Sequence, residues 1–232
     1  MSDRRDIQVV IFDVDDTLYP EREFVRSGYR AVATFLRNKL HRNDPFEDWL
    51  WERFLHGQTR GAFNALNEQF GLKFDAPALS RLVEIYRFHI PKLTPFEDIP
   101  PLLAVLKDSC RLGILTDGPA QMQMNKLKAL GLLTFFDDQL VILTDSLGSE
   151  CSKPNPTGFE QIAAHAAVPH SACAYIGDNP AKDFVAPNAL GWRTIRYHRD
   201  HQVHAHNPTA PGGEPHIIVT SDEQLLAALR LQ

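Results

Sequence analysis

Residues 9–17 read Val-Val-Ile-Phe-Asp-Val-Asp-Asp-Thr, and this stretch decides the fold. Four consecutive apolar residues are typical of a short strand that is buried on both faces of a sheet. Two carboxylates, Asp13 and Asp15, follow where such a strand would end. Because ligands bind at the carboxyl ends of parallel strands, the stretch predicts both an α/β fold and the place of its chemical site.

Five further apolar runs, rich in β-branched residues, predict the rest of the sheet. They are residues 112–115, 140–143, 172–176, 194–197 and 217–219. Apolar residues at helical spacing lie between them, for example Met124, Leu127 and Leu130. Alternating strands and helices predict an α/β fold with a doubly wound parallel sheet.

The stretch 20–91 interrupts this alternation. Apolar residues recur in it at spacings of three and four, without a strand-like run, and prolines stand at both of its ends. We therefore expect about four helices here, forming a cap that is inserted into the core. The predicted core consists of residues 1–19 and 92–232.

Composition excludes several classes of protein. Of 232 residues, 44% are apolar and 23% charged, which is typical of a globular domain, and the net charge of −5 offers no footprint for nucleic acid. Only six mostly apolar residues precede Asp13, too few for a signal peptide or a membrane span. Cys110, Cys151 and Cys173 are far apart and form no Cys-x-x-Cys pair. We expect reduced thiols in a cytoplasmic protein that does not bind membranes.

Polar side chains gather at the predicted strand ends. The second strand ends in Thr116-Asp117-Gly118, and the strand 172–176 is followed by Asp178 and, five residues later, Asp183. Lys153-Pro154 precedes the helix that leads into that strand. Each piece alone is more often a turn, but together they place carboxylates, a hydroxyl and an ammonium at one edge of the sheet.

The charges at this edge require a cation. Asp13, Asp15, Asp178 and Asp183 would repel one another in a partly dry site. Mg²⁺ prefers hard oxygen ligands and commonly combines one or two carboxylates with a substrate phosphate. Lys153 is the available ammonium. The sequence thus predicts a magnesium site beside a lysine.

These segments resemble the motifs of a known family. Residues 12–18, 114–118, 153–154 and 176–183 are similar, in this order, to the four motifs of the haloacid dehalogenase superfamily of phosphohydrolases. The position of the helical insertion resembles the subfamily with a cap after the first motif. Two departures occur: Asp16 and Asp117 stand where glycine and asparagine are common.

The resemblance implies a role for each residue. Asp13 would be the nucleophile that forms an aspartyl-phosphate, and Asp15 would protonate the leaving alcohol and then activate water. Thr116 and Lys153 would bind the phosphoryl oxygens, and Asp117 and Gly118 would complete the substrate site.

The resemblance also implies a metal and a reaction. Mg²⁺ would be held by Asp13, the Asp15 backbone carbonyl and Asp178, with Asp183 behind or beside it. We therefore expect a magnesium-dependent phosphatase whose partner is a small phosphorylated metabolite, a nucleotide or a sugar phosphate.

The carboxylate of Asp15 helps to distinguish between the alternative functions. The dehalogenase and phosphonate-cleaving branches resemble this chain but lack a carboxylate at that position, so a phosphate ester is the expected substrate. A sugar-phosphate mutase keeps both carboxylates and stays open. A non-hydrolytic phospho-aspartate signalling or binding protein would be a further alternative, although receiver domains carry their acidic pair ahead of the phosphorylated aspartate.

Substrate choice is expected to lie in the cap. Five residues near the first motif are candidates for contact with the leaving group: Tyr19, Arg22, Arg26, Tyr29 and Arg30. A solvated helix face with one core tyrosine is the simpler interpretation of them.

Residues 198–216 hold five of the ten histidines and are predicted to form a mobile surface loop, with a metal site as the alternative. A monomer and a homodimer both stay open.

Overall fold

The computed structural model describes residues 7–229. Its centre is one sheet of six parallel strands in the order β3-β2-β1-β4-β5-β6, which confirms the predicted α/β doubly wound fold. The strands are β1 Val9–Phe12, β2 Arg111–Thr116, β3 Val141–Leu143, β4 Cys173–Gly177, β5 Arg193–Tyr197 and β6 Ile217–Val219. All six predicted apolar runs are strands, and their ends shift by at most one residue.

Helices connect these strands, and five of them follow β1 before the next strand begins. The helices are α1 Glu21–Leu40, α2 Phe46–Leu55, α3 Ala62–Gln69, α4 Ala76–Phe88, α5 Ile99–Lys107, α6 Ala120–Leu130, α7 Thr157–Ala166, α8 Val185–Ala189 and α9 Asp222–Leu229. Local sequence accounts for several of their ends. The Asp75 side chain accepts from the Ala78 backbone N–H at the start of α4, and Gly131 ends α6 in the left-handed conformation.

The chain divides into two compact units. One comprises the residues through Glu21 together with Leu93 onward, which we call the core unit, and the other is Arg22–Lys92, which we call the helical unit. The first division falls after Glu21, whose backbone N–H donates to the Asp16 carboxylate of the core unit at 2.8 Å.

Aromatic side chains of α7, of β4 and of the residue before β5 pack together in the interior of the core unit. Phe159 meets Tyr175 and Trp192 edge to face, with ring centroids 5.0 and 5.4 Å apart, and all three side chains are buried. Such pairs add about 0.5–1.5 kcal/mol each beyond their buried area. All four residues of β1 are fully buried, as the unbroken apolar run predicts. The strand that carries Asp13 is therefore fixed on both faces.

The helical unit has its own apolar interior. Val32 and Leu36 of α1 pack with Leu50 and Leu82 from later helices. Tyr29 lies in the same interior, with its ring centroid 5.6 Å from that of Tyr86. Its position matches a core tyrosine. Within residues 7–229, no helix is both long and apolar enough to cross a bilayer.

The histidine-rich segment 198–216 is anchored at several points, although the sequence predicts a mobile loop. Gln202 is buried and donates to the Asp16 carbonyl at 3.0 Å, and the Val203 N–H donates to the Asp16 carboxylate at 2.5 Å. His216 Nδ1 accepts from the Thr194 N–H at 3.1 Å. None of its histidines belongs to a metal-binding group among the described residues. The contacts fix this segment against the loop that follows β1.

Gly113 provides a test of sheet packing. A Cβ built at this position of β2 would lie 2.5 Å from the Leu140 carbonyl oxygen and 2.6 Å from Ile11 Cδ1. We predict that Gly113→Ala costs about 1–3 kcal/mol of unfolding free energy, measured by urea denaturation. Val105→Ala, at an exposed position, should change it by no more than about 0.5 kcal/mol. Equal urea midpoints for Gly113→Ala and wild type would contradict the packing.

Candidate active site

Three parallel strands bring the predicted site residues to one edge of the sheet. Asp13 follows β1, Thr116 ends β2 and Asp178 follows β4. The register pairs Phe12 with both neighbouring strands, and the Asp13 N–H donates to the Ile176 carbonyl at 2.8 Å. Backbone hydrogen bonds therefore fix the position of Asp13 independently of its side-chain contacts.

Lys153 lies at the centre of this edge. Its ammonium is 2.8 Å from Asp13 Oδ1 and 2.9 Å from Asp183 Oδ1, and its side chain is fully buried. It also donates to the Tyr175 hydroxyl at 2.8 Å, and that hydroxyl donates to the Leu115 carbonyl at 3.2 Å. Tyr175 was not among the predicted site residues, because its place within an apolar run made it look like core alone.

Three carboxylates form a buried acidic group. Asp13, Asp178 and Asp183 each offer an oxygen atom, and these atoms all lie within 4.8 Å of one another. Within the described part of the chain, Asp178 Oδ2 is buried and accepts no hydrogen bond. Burial raises the pKa of Asp13 to about 6, with Lys153 opposing the rise and Asp183 adding to it. An arrangement that raises carboxylate pKa values in this way suits a bound cation.

Asp183 is part of this group and also shapes its loop. Its Oδ2 accepts from the Asn179 N–H at 2.8 Å. A Cβ at Gly177 would lie 2.7 Å from the same oxygen, so the strand must end in glycine for Asp183 to approach it. The loop between Asp178 and Asp183 thus turns back on itself and returns the second carboxylate to the site.

Asp15 occupies a different environment. Lys126 Nζ lies 2.8 Å from both of its carboxylate oxygens, Gln123 Nε2 donates to Oδ2 at 3.1 Å, and the Tyr19 hydroxyl donates to Oδ1. Burial alone would raise the pKa of Asp15, but the Lys126 charge and the three donors outweigh it and hold this pKa below its usual value. Its side chain is not part of the acidic group around Asp13.

Thr116 and Asp117 of the second motif are held by hydrogen bonds and an ion pair from later segments of the chain. Thr116 Oγ1 accepts from Gln123 at 2.7 Å. The Asp117 carboxylate forms an ion pair with Lys182 at 2.9 Å and accepts from the Thr144 hydroxyl and the Lys153 N–H, each at 3.0 Å. Burial raises the pKa of Asp117, and the nearby lysines lower it to a net value below its usual range. The charge of Asp117 is therefore largely compensated.

The backbone conformation at position 16 explains why aspartate can stand where glycine is common. Its φ of 53° lies in the left-handed region, where glycine is favoured and aspartate is among the better-tolerated alternatives. The buried carboxylate accepts from the N–H groups of Glu21, at 2.8 Å, and Val203. The aspartate thus ties the start of α1 and segment 198–216 to the first motif. Gly118 also has a positive φ, of 107°.

Several residues of the site were missed by the sequence analysis. They are Gln123, Lys126, Tyr175 and Lys182. A signal was present for two of them: Gln123 and Lys126 are spaced with Leu127 and Leu130 along one face of α6, so polar groups interrupt a stripe that should be buried. Such an interruption directly after a motif indicates a buried polar contact.

The predicted leaving-group contacts have other partners in the structure. Tyr19 is fully buried and bonds to Asp15 within the core unit. In the helical unit, Arg26 and Arg30 pair with Glu47 at 3.9 and 3.1 Å. The guanidinium of Arg22 lies over the Trp51 ring, 5.6 Å from its centroid.

Comparisons with known proteins identify the family of the chain. The chain matches the family of haloacid dehalogenase-like hydrolases over residues 7–191. A glyceraldehyde 3-phosphate phosphatase from Methanopyrus kandleri is 31% identical over 204 residues, covering 83% of this chain and 84% of that protein. The N-acylneuraminate-9-phosphatase of Homo sapiens is 24% identical over 242 residues, covering 97% and 94%.

A solved structure shares the fold. The crystal structure of the magnesium-bound HAD-hydrolase YfnB from Bacillus subtilis aligns with a TM-score of 0.68, covering 97% of this chain and 99% of that one, at 20% identity. This likeness supports the fold alone. The match over residues 7–191 and the relative from Methanopyrus kandleri confirm the resemblance seen in the motifs. The chain therefore belongs to the haloacid dehalogenase-like hydrolase family.

Proposed function

We propose that this hydrolase is a magnesium-dependent phosphatase that acts on a small phosphorylated metabolite through an aspartyl-phosphate on Asp13. One observation carries the proposal: two carboxylates two residues apart have opposite environments. Asp13 lies with Lys153 in the acidic group, whereas Asp15 lies apart from it with Lys126. A nucleophile and a separate acid–base group are the two functions that phosphate-ester hydrolysis requires.

Asp13 acts as the nucleophile. A carboxylate oxygen attacks phosphorus, the bond between phosphorus and the ester oxygen breaks, and the alcohol departs. Lys153, 2.8 Å from Asp13 Oδ1, balances the negative charge of carboxylate and phosphoryl group in the transition state. Thr116 donates its hydroxyl hydrogen to a phosphoryl oxygen, and the backbone after it, at Asp117 and Gly118, lines the rest of the phosphate site.

Asp15 moves the protons. It gives one to the departing alcohol and later takes one from the water that attacks the aspartyl-phosphate, which regenerates Asp13 and releases phosphate. Its lowered pKa means that the free protein holds Asp15 as the anion. The proton for the first step enters with the monoanionic form of the substrate, which a phosphate monoester still populates near neutral pH because its second pKa is about 6.

The acidic group suits Mg²⁺. The unpartnered buried oxygen of Asp178 and the raised pKa of Asp13 indicate an oxygen-rich site that lacks positive charge. Asp13, Asp178 and the Asp15 backbone carbonyl would hold the ion, and Asp183 would lie behind them, fixed by Lys153 and the Asn179 N–H. When bound, Mg²⁺ supplies the charge that allows carboxylate and phosphate to approach each other.

The relatives narrow the class of substrate. The names of the relatives from Methanopyrus kandleri and Homo sapiens each refer to a phosphate ester of a small sugar-like molecule. We extend this to the present chain and expect a sugar phosphate ahead of a nucleotide. The three cysteines are free thiols, which fits a reducing compartment, and we place the protein in the cytoplasm on that ground.

Replacement of Asp13 tests the nucleophile. We predict that Asp13→Asn lowers phosphate release by at least about 10⁴-fold and leaves the circular dichroism spectrum unchanged, because the amide cannot form the acyl-phosphate. The assay is phosphate release with Mg²⁺ from glyceraldehyde 3-phosphate, N-acetylneuraminate 9-phosphate, phosphoglycolate and pyrimidine nucleoside monophosphates. Asp108→Asn, at an exposed position, is the matched control. Wild-type rates in Asp13→Asn would refute the mechanism.

Metal removal tests the cofactor. We predict that EDTA stops phosphate release and that Mg²⁺ in excess of the chelator restores it, since the repelling carboxylates need a cation to admit a phosphate. The same assay follows both steps. Full activity in chelated buffer would contradict a metal-dependent reaction.

Replacement of Asp178 tests the charge balance without any substrate. Burial, followed by repulsion from Asp183 and Asp13, holds the pKa of Asp178 well above its usual value. A carboxyl group whose pKa rises on folding supports the folded state below its unfolded-state pKa of about 4 and opposes it as the pH rises toward the folded value.

We therefore predict that Asp178→Asn raises the Tm of the metal-free protein at pH 8, by about 2–4 °C for each kcal/mol of repulsion removed, and changes it little at pH 4. Thermal unfolding measures both values. Mg²⁺ should raise the Tm of wild type but not that of the variant. A variant that melts below wild type at pH 8 would argue against the repulsion.

A further inference from the structure

A buried ammonium lies beside Asp15 and has no part in the reaction described so far. Lys126 is on α6, where its side chain is 3% exposed, and both carboxylate oxygens of Asp15 are 2.8 Å from its Nζ. Lys128, two residues further along the same helix, is exposed. An interior ammonium carries a desolvation cost, so its position calls for an explanation.

The carboxylate of Asp15 is fixed from three directions. Its Oδ1 accepts from Lys126 and the Tyr19 hydroxyl, and its Oδ2 accepts from Lys126 and Gln123. Because Lys126 bridges the two oxygens, the plane of the carboxylate cannot rotate without breaking at least one charge-assisted hydrogen bond. The Asp15 side chain nevertheless remains 21% exposed, which leaves it an approach for a reacting group.

Gln123 links this arrangement to the second motif. The same amide nitrogen that donates to Asp15 also lies 2.7 Å from Thr116 Oγ1 and 2.5 Å from the Asp117 carbonyl oxygen. Gln123 and Lys126 are three residues apart on α6, so they face the same side of the helix. One helix face therefore fixes the position of Asp15 relative to the residues that bind the phosphate.

We propose that Lys126, together with Gln123, is a positioning residue that orients the Asp15 carboxylate for its proton transfers. The inference rests on the proposed function and adds residues to it. Lys126 acts through Asp15, whose two carboxylate oxygens its Nζ contacts. Its removal should therefore slow the reaction only to the extent that the reaction needs Asp15.

A purely structural role accounts less well for this pair. A buried ion pair is often no more stabilising than well-packed apolar residues of similar volume. Neighbours of Lys126 on the same face, Leu127 and Leu130, show that α6 packs with apolar side chains where no charge is present. What the pair adds is a defined orientation of one carboxylate, which matters for proton transfer because its efficiency depends on geometry.

Two aryl phosphates separate positioning of Asp15 from other effects. Phenyl phosphate expels a basic phenolate that needs a proton, whereas p-nitrophenyl phosphate expels a phenolate that departs without one. We predict that Lys126→Met lowers kcat/KM for phenyl phosphate about 10²-fold more than kcat/KM for p-nitrophenyl phosphate, because kcat/KM reports the step in which the phenol leaves and excludes the later attack of water. Lys126→Arg should recover part of the difference, and Lys128→Met, the matched control on the same helix, should leave both rates at the wild-type value.

A double-variant cycle gives an independent readout on p-nitrophenyl phosphate. If Lys126 acts through Asp15, Lys126→Met should have less than a twofold effect in an Asp15→Asn background, because the group it orients is gone. Should Lys126→Met fail to fold, Gln123→Met is expected to show the same preferential loss on phenyl phosphate and carries the test.

The outcomes distinguish this inference from the proposed function. Equal losses of kcat/KM on both aryl phosphates in a folded Lys126→Met protein, or effects of Lys126 and Asp15 that multiply, would overturn the positioning role. Wild-type rates in Lys126→Met would overturn it as well. Failure of the proposed function looks different: wild type would release no phosphate from any compound, and the inference would fall with it.

Discussion

The contact between the Lys153 ammonium and the carboxylates of Asp13 and Asp183 is the interaction on which the rest of the site depends. These groups are buried at the edge of a sheet, where an unpaired charge would be costly. One lysine does not balance three carboxylates, since Asp178 shares the same space. The folded chain therefore keeps a deficit of positive charge at this edge. A divalent cation and the charge-neutralising chemistry of phosphoryl transfer both make use of such a deficit.

In the proposed mechanism, the two aspartates of the first motif have different functions because their environments differ. Asp13 points into the acidic group, where burial raises its pKa to about 6, while Lys126 and two further hydrogen-bond donors lower the pKa of Asp15. β1 delivers both residues, but α6 determines how the second one behaves. In the proposed mechanism, the helix after the second motif is thus part of the catalytic arrangement as well as a connection between strands.

The sequence was sufficient to predict the sheet and most of its polar edge. Unbroken apolar runs such as Val9–Phe12 identify buried strands, and the order of strands then requires Asp13, Thr116 and Asp178 to meet. The contacts of Lys126 with Asp15 could not be predicted from local patterns, because the two residues are 111 positions apart and the pairing depends on how α6 packs. The anchoring of Val203 on Asp16, across 187 positions, was missed for the same reason.

The central claim is that the phosphoryl group of the substrate is transferred to the Asp13 carboxylate before water releases it as phosphate. The most direct test is to mix the enzyme with a ³²P-labelled substrate from the metabolite panel in the presence of Mg²⁺, quench in acid within the first turnover, and map the labelled peptide by mass spectrometry. The account predicts a phosphoryl group on Asp13 in wild type and none in Asp13→Asn. Label on any other residue, or phosphate release without a labelled protein at any quench time, would contradict it.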